Sequence, residues 1–286
     1  VSARTSPTAR RRRLAAELRR LRKGAGYTRE QVARHVGCAP VTISRIESAQ
    51  SGARPGEVAL MLDLYGVPAD QREALLSMAR DARKRGWWHQ YGRAVPDWFQ
   101  VYVGLEAEAW AISSYEPEVV PGLLQTEDYA RALMRADPAG ATEGEIERRV
   151  AVRLGRQALL DREDALRLRV VLGEAALRRP AGGPATMREQ LRRLIDLSYR
   201  ENVSLSVLPF AAGAPSAVHG GFHILLFPDA ADPDIVYVEY RTGSLYLEKQ
   251  SDLDTYTLMF DHLGSRALTP DESRSFITDV LKELSE

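Results

Sequence analysis

From Leu14 to Arg83 the apolar residues recur with a helical period. The period is cut wherever glycine or proline stands: at Gly24 and Gly26, at Gly37, between Gly52 and Gly56, and at Gly66 with Pro68. Five short helices are predicted, over 14–23, 29–36, 40–47, 55–65 and 69–83. The second starts after Thr28, whose hydroxyl suits an N-cap. It stops at Gly37, which tolerates the left-handed conformation that closes a helix. Pro40 then opens the third helix at its first position, where a missing N–H does no harm. Helix, glycine turn and helix at this spacing form a helix-turn-helix. Val32, Val36, Ile43 and Ile46 fall on the inner faces, and Ala33 is small enough to let the two helices cross closely.

Charge divides the chain in the same place. Lys plus Arg equals Asp plus Glu at 39 each over 286 residues, yet within 1–93 there are 19 basic residues against 8 acidic ones. A basic module that suits a polyanion is joined to an acidic one. The single cysteine, Cys38, excludes an internal disulfide and a cysteine-held zinc and points to a reducing compartment. Arg10 to Arg13 precede an amphipathic stretch instead of the apolar core of a signal peptide, and no segment is apolar enough to span a membrane. A soluble cytoplasmic protein is expected, nucleoid-associated when bound to DNA.

Thr28-Arg-Glu-Gln-Val-Ala-Arg-His-Val-Gly37, followed by Val41-Thr-Ile-Ser-Arg-Ile-Glu47, resembles the helix-turn-helix of XRE, or Cro/cI-type, transcriptional regulators. The resemblance implies a third helix lying in a major groove, with Pro40, Val41, Thr42 and Arg45 toward base edges and Ser44 as a lesser candidate. Arg45 suits guanine O6 and N7, Val41 a thymine methyl, and Thr42 a base or phosphate, while Pro40 offers shape alone. Arg29 and Arg54 are expected on phosphates. The run Arg10, Arg11, Arg12 and Arg13 reads either as a basic arm on a phosphate track or narrow minor groove, or as a solvated charge run merging into the first helix. Ala39 stands where the family often has Ser or Thr, so the third helix lacks a cap that Pro40 only partly replaces. Cys38 reads as a small turn residue in preference to a redox sensor, because no second cysteine is available.

The stretch 85–97 holds Trp87, Trp88 and Tyr91 near basic residues. Stacking on unpaired bases is one reading; packing, with Trp98 and Trp110 as further anchors, is the stronger. The expected organisation is a DNA-binding domain at 1–84, a packed junction at 85–97 and a larger domain at 98–286. The fold class is α+β: a five-helix, all-α domain followed by an α+β domain with a central, mainly antiparallel sheet. Helices are predicted over 101–109, 127–136, 143–161, 186–199, 251–263 and 270–284, and strands over 167–173, 203–208, 221–227, 235–240 and 244–248.

Five segments of the acidic module carry a second resemblance: Tyr115-Glu-Pro-Glu-Val-Val-Pro-Gly-Leu-Leu-Gln-Thr-Glu-Asp-Tyr-Ala-Arg-Ala-Leu133, Arg153-Leu-Gly-Arg-Gln157, Gly173-Glu-Ala-Ala-Leu-Arg-Arg179, Val207-Leu-Pro-Phe210 and Gly220-Gly-Phe222. They resemble the domain of unknown function attached to such helix-turn-helices in actinobacterial WhiJ-like regulators. The resemblance implies a developmental or secondary-metabolism regulator with a small partner protein encoded nearby, and no enzyme activity, cofactor or ligand. Glu116, Glu118, Glu174 and Glu239 are candidate acid/base carboxylates, but no nucleophile elbow, phosphate loop or zinc-protease pattern accompanies them. A buried pocket lined by two or more of the four favours an enzyme, and their dispersal on the surface ends that reading.

His219 and His223 flank a glycine pair and are not expected to share a metal. Arg149, Arg153 and Arg156 form a helical stripe able to hold an anionic ligand or an acidic partner surface, set against the stronger expectation of a solvated face. With His219 and Phe222, near the end of the small-residue loop 209–221, they are the candidate ligand or partner residues. The function expected is a sequence-specific repressor, dimeric on a palindromic operator and controlled through its second domain. An antitoxin-like protein that neutralises a small partner is the alternative.

Overall fold

The computed structural model describes residues 7–49, 51–83, 87, 90–91, 95–137, 140–228 and 232–284. The chain divides into two compact units, Val1–His89 and Gln90–Glu286. Much of the expected junction, namely 84–86, 88–89 and 92–94 with Trp88 among them, lies outside the described residues.

The first unit contains α1 (Pro7–Gly24), α2 (Arg29–Val36), α3 (Pro40–Glu47), α4 (Pro55–Leu64) and α5 (Ala69–Asp81). Leu14, Leu18, Val32, Ala33, Ile43, Ile46, Val58, Met61, Leu62, Leu75 and Ala79 are buried in one core, with Val36 at its edge. Thr28 Oγ1 accepts from the Gln31 N–H at 3.3 Å, and the Thr28 N–H donates to Gln31 Oε1 at 2.8 Å, so two of the orphan donors of α2 are satisfied. Gly37 takes φ of 79° and closes the helix. α3 opens on Pro40 without a side-chain cap, since Ala39 has none to offer. One expectation needs correction. α1 starts at Pro7, not Leu14, so Arg10, Arg11, Arg12 and Arg13 belong to a helix and do not form an arm. Proline at the first position followed by good helix formers extends the helix through the basic run.

The second unit contains α6 (Asp97–Glu106), β1 (Ala111–Glu116), α7 (Glu127–Arg135), α8 (Glu143–Gln157), β2 (Arg167–Gly173), α9 (Glu174–Arg178), α10 (Pro184–Leu197), β3 (Val203–Leu208), β4 (Phe222–Leu226), β5 (Ile235–Tyr240), β6 (Gly243–Leu247), α11 (Gln250–Arg266) and α12 (Pro270–Glu283). Among the described residues six strands form one sheet in the order β3-β2-β1-β4-β5-β6. β1 and β2, and β2 and β3, pair in parallel. The other three pairs are antiparallel. The sheet is therefore mixed, with antiparallel pairing in the majority, and the pairing changes sense at β1.

β1 and α9 have no counterpart in the sequence expectation. β1 is central and buried along almost its whole length, so it lacks the in/out alternation that marks a half-buried strand. Elsewhere the two-residue period sorts the side chains cleanly. On one face, Leu168, Val170, Leu172, Val203, Leu205 and Val207 pack with Met187, Leu191 and Leu194 of α10 and Ile277 and Val280 of α12. On the other, Tyr115, Val171, Phe222, Ile224 and Val236 pack with Leu253, Phe260 and Leu263 of α11. The first face continues over β1, β4 and β5 with Ser114, Glu116, His223, Tyr237 and Glu239, and there it lines a cavity.

Candidate functional site

In the first unit Ile43 and Ile46 fasten α3 to the core, which turns Pro40, Val41 and Arg45 outward; Val41 is 55% exposed. Thr42 and Ser44 are half-buried beside them. The far end of α3 is held by Glu47, whose side chain is fully buried. It accepts from Arg22 Nε at 2.5 Å and Nη2 at 3.0 Å, and from Arg29 Nε at 3.1 Å. Arg22 Nη1 also donates to the Tyr27 carbonyl at 2.8 Å. One carboxylate thus ties α1, the start of α2 and the end of α3 together. Arg29 is engaged inside the unit even though 40% of its side chain is exposed.

Arg54 stands exposed at the head of α4, where its backbone N–H donates to Glu57 Oε2 at 2.7 Å. On α1, Arg10 pairs with Asp81 at 2.8 Å, the Nε of Arg11 is buried without a partner, and all four arginines of the basic run are half-buried. Burial, then Glu57, raises the Cys38 thiol above its ordinary value, the opposite of what thiolate chemistry needs.

The cavity of the second unit has a volume of about 900 Å³. It lies over the seam where β1 changes from parallel to antiparallel pairing, and α6 and α8 supply its other walls. The arginine stripe of α8 is not a solvated face, because all three of its members line this cavity. Arg156 makes two 2.7 Å bonds to the buried carboxylate of Glu106, and its guanidinium lies 5.1 Å from the Phe99 ring centroid and 5.4 Å from that of Tyr102. Arg153 receives no carboxylate. Its Nη1 donates to Gln125 Oε1 at 2.7 Å, and Gln125 is held in turn by its own donation to the Val120 carbonyl at 2.6 Å. Burial, with Arg156 beside it, pulls the Arg153 guanidinium down to about 10. The Nε of Arg149 is buried without a partner among the described residues.

The sheet wall carries the acids. Glu116 Oε1 lies 3.4 Å from His223 Nε2, and Tyr237 donates to Glu239 Oε2 at 2.9 Å. Burial first and Glu239 second push Glu116 up to about 8 against the pull of Arg153, so this carboxyl is protonated at neutral pH. Burial and then Arg156 hold His223 down at about 3, so its imidazole is neutral. Gly221 gives this wall its shape: a Cβ there would meet the Tyr115 carbonyl at 2.8 Å and Glu116 Oε2 at 3.1 Å. The buried Ser114 hydroxyl has no hydrogen-bond partner among the described residues. Trp98, Phe99 and Tyr102 form an aromatic edge on α6; the Phe99 and Tyr102 rings are stacked at 5.4 Å, and Tyr102 meets Tyr237 at 4.2 Å.

His219 and Phe222 do not join this site. His219 is exposed on its loop, and Phe222 turns to the opposite face of the sheet against Tyr256 at 4.9 Å. Of the four candidate carboxylates, Glu116 and Glu239 line the cavity, whereas Glu118 pairs with Arg179 at the surface and Glu174 bonds Arg178 and the Phe210 N–H. Sequence reasoning missed Glu106, Gln125 and Tyr237, and it weighed His223 only as a metal ligand. The alternation of Tyr237 and Glu239 on a predicted strand, and the Trp98, Phe99 and Tyr102 spacing on α6, were the available signals. Trp110 lies away from the cavity, with the Arg167 guanidinium 5.7 Å from its ring.

Residues 13–75 match the model of a helix-turn-helix domain. The first unit places the protein among the DNA-binding regulators of the helix-turn-helix class. Residues 99–279 match a second family, described as a domain of unknown function (DUF5753). That match spans more than half of the chain, and the protein belongs to the DUF5753 family. No curated protein and no solved structure matches the chain. Among the described residues, no helix is long and apolar enough to cross a membrane.

Proposed function

We propose that this protein is a sequence-specific transcriptional regulator of the Cro/cI type, acting as a repressor and controlled by a small molecule held in its second unit. The outward row Pro40, Val41 and Arg45 on a helix fastened from behind is the observation that carries the reading. In a major groove Arg45 donates to guanine, Val41 packs on a thymine methyl, and Thr42 and Ser44 reach neighbouring bases or phosphates. Arg54 and Arg29 bind phosphates, Arg29 by releasing or sharing its bond to Glu47. The half-buried arginines of α1 add positive field. A chain that reads so few bases gains specificity as a dimer on a palindromic site.

A cavity of this volume takes a ligand of drug-like size, which favours a small-molecule input over a partner protein. Control follows when the ligand binds the free and DNA-bound forms with different affinity. Fluorescence anisotropy on the DNA upstream of its own gene and on random duplex, across a salt series, tests the regulator. A preference of about a thousandfold or more supports it, and equal, steeply salt-dependent binding to both defeats it.

A second reading, an enzyme in the second unit, has one observation in its favour: Glu116 and Glu239 share a cavity with His223. Against it, Ser114 has no base within hydrogen-bond reach, and an imidazole held at about 3 is a poor proton acceptor near neutral pH. Binding is the use these groups suit best.

A further inference from the structure

Two arginines one turn apart on α8 are treated differently. Arg156 is given a bidentate carboxylate, and its charge is neutralised inside the protein. Arg153 is given only an amide oxygen, at 2.7 Å. A guanidinium has five N–H donors, and four of those on Arg153 make no hydrogen bond among the described residues. The amide that holds it is fixed, because the Gln125 side-chain nitrogen donates to the Val120 carbonyl and the Gln125 backbone carbonyl accepts from Gln157 Nε2 at 2.8 Å. Glu239 and Glu116 act on Arg153 only through space, and among the described residues no carboxylate bonds it, so a pocket arginine fixed in this way has donors to offer an anion that comes from outside. The Nε of Arg149, also without a partner on the same wall, adds to the positive surplus. Glu116 on the facing wall is protonated near neutral pH and does not cancel that surplus. The half-buried rings of Trp98 and Phe99 form the apolar edge of the same cavity.

We propose that the cavity binds a small organic anion with a planar, apolar body, its acid group on Arg153 and its rings against Trp98 and Phe99. As the input to the regulator this rests on the function proposed above; as a binding site it does not. Recognition then has two parts: the guanidinium selects the acid, and the aromatic edge selects the body.

The test uses the full chain without DNA and two fluorescent probes of nearly the same shape, 8-anilinonaphthalene-1-sulfonate and its uncharged parent N-phenyl-1-naphthylamine. The sulfonate is expected to bind at least tenfold more tightly. Arg153→Gln should weaken it about tenfold while changing the uncharged probe less than twofold, with far-UV circular dichroism unchanged. Should Arg153→Gln fail to fold, Arg149→Gln replaces it, with the expected loss for the sulfonate about threefold and the same indifference of the parent.

Equal affinity of the two probes for the wild type, or equal loss of both in the variants, overturns the proposal. Displacement of the sulfonate by 2-naphthoate, but not by 2-naphthamide or inorganic phosphate at the same concentration, is expected. Displacement as effective by phosphate overturns the part assigned to the apolar body. If 2-naphthoate binds and leaves affinity for the upstream DNA unchanged, the site stands and ligand control of DNA binding falls.

Discussion

Both units bury a glutamate and surround it with arginine, and they do so to opposite ends. In the first, Glu47 takes Arg22 and Arg29 together, so the buried carboxylate is spent inside the frame, and the residues left to act, Arg45 and Val41, point outward. In the second, Glu106 takes Arg156 alone, and Arg153 and Arg149 are left lining a cavity. The first arrangement makes a rigid surface able to read another surface. The second makes a container with unspent charge on its inner wall. Fold and function are nearly separable in unit one, and in unit two they share the same side chains.

The largest expected effect follows from this difference. Glu106→Gln strands the guanidinium of Arg156 in the interior and should destabilise the second unit by about 3–5 kcal/mol, read from chemical denaturation. Glu47→Gln should cost less, because Arg22 keeps its bond to the Tyr27 carbonyl and Arg29 is partly exposed and can turn to water. A larger loss at Glu47 breaks the comparison.

Next comes the pH response. The carboxyl of Glu116 holds its proton up to about 8 when folded but ionises at its ordinary value when unfolded, so the folded state binds more protons between these limits. Stability should therefore fall as pH rises from about 4.5 through 8, by on the order of 2–4 kcal/mol, and level off above. His223, held down at about 3, works in reverse and loses stability as pH falls from about 6.5 toward 3. Thermal melts of Glu116→Gln across pH 6.5 to 9 should be flat where the wild type slopes downward. Parallel curves defeat the assignment.

Arg45→Ala should cost about 1–3 kcal/mol at the cognate site and relax preference at one base pair, while Arg29→Ala should weaken all sequences alike. Equal loss on random duplex for both changes removes Arg45 as a base reader.

The same contrast decides what was legible in the sequence. The first unit follows local rules: Thr28 caps, Gly37 turns, Pro40 restarts, and the apolar period supplies the core. Of the two readings of Arg10 to Arg13 the structure takes the run that merges into the first helix, because charge alone does not end a helix that Pro7 can begin. In the second unit five of six strands were legible, but β1 was not, since Ala111-Ile-Ser-Ser-Tyr-Glu116 is buried on both faces. Without β1 the sheet has no centre and the cavity has no floor. The stripe on α8 looked solvated because the partner of Arg156 lies 50 residues away in sequence, and no local pattern announces it.

Gln125→Glu sharpens the comparison further by supplying Arg153 with the carboxylate that Arg156 already has. Anion affinity should fall about tenfold, near 1.4 kcal/mol, with no loss of thermal stability greater than that from breaking one amide bond to Val120. Retained affinity means that the charge of Arg153 is not what the cavity offers.

The smallest effect probes the first unit at its one missing piece. Ala39 has φ of −75° and ψ of 146°, the extended conformation of an N-cap, yet its side chain reaches no donor. In Ala39→Ser the new hydroxyl can accept from an N–H of the first turn of α3, a gain of about 0.5–1 kcal/mol at most. Position 39 lies just before the outward row, and it bears on no base in the proposed docking. The melting temperature of the first unit should therefore rise by a few degrees, roughly 4–8 °C per kcal/mol for a unit of this size, with affinity for upstream DNA unchanged. A gain in stability accompanied by a change in sequence preference would show that the cap and the reading face are coupled. The separation of frame from function in this unit would then be no better than in the other.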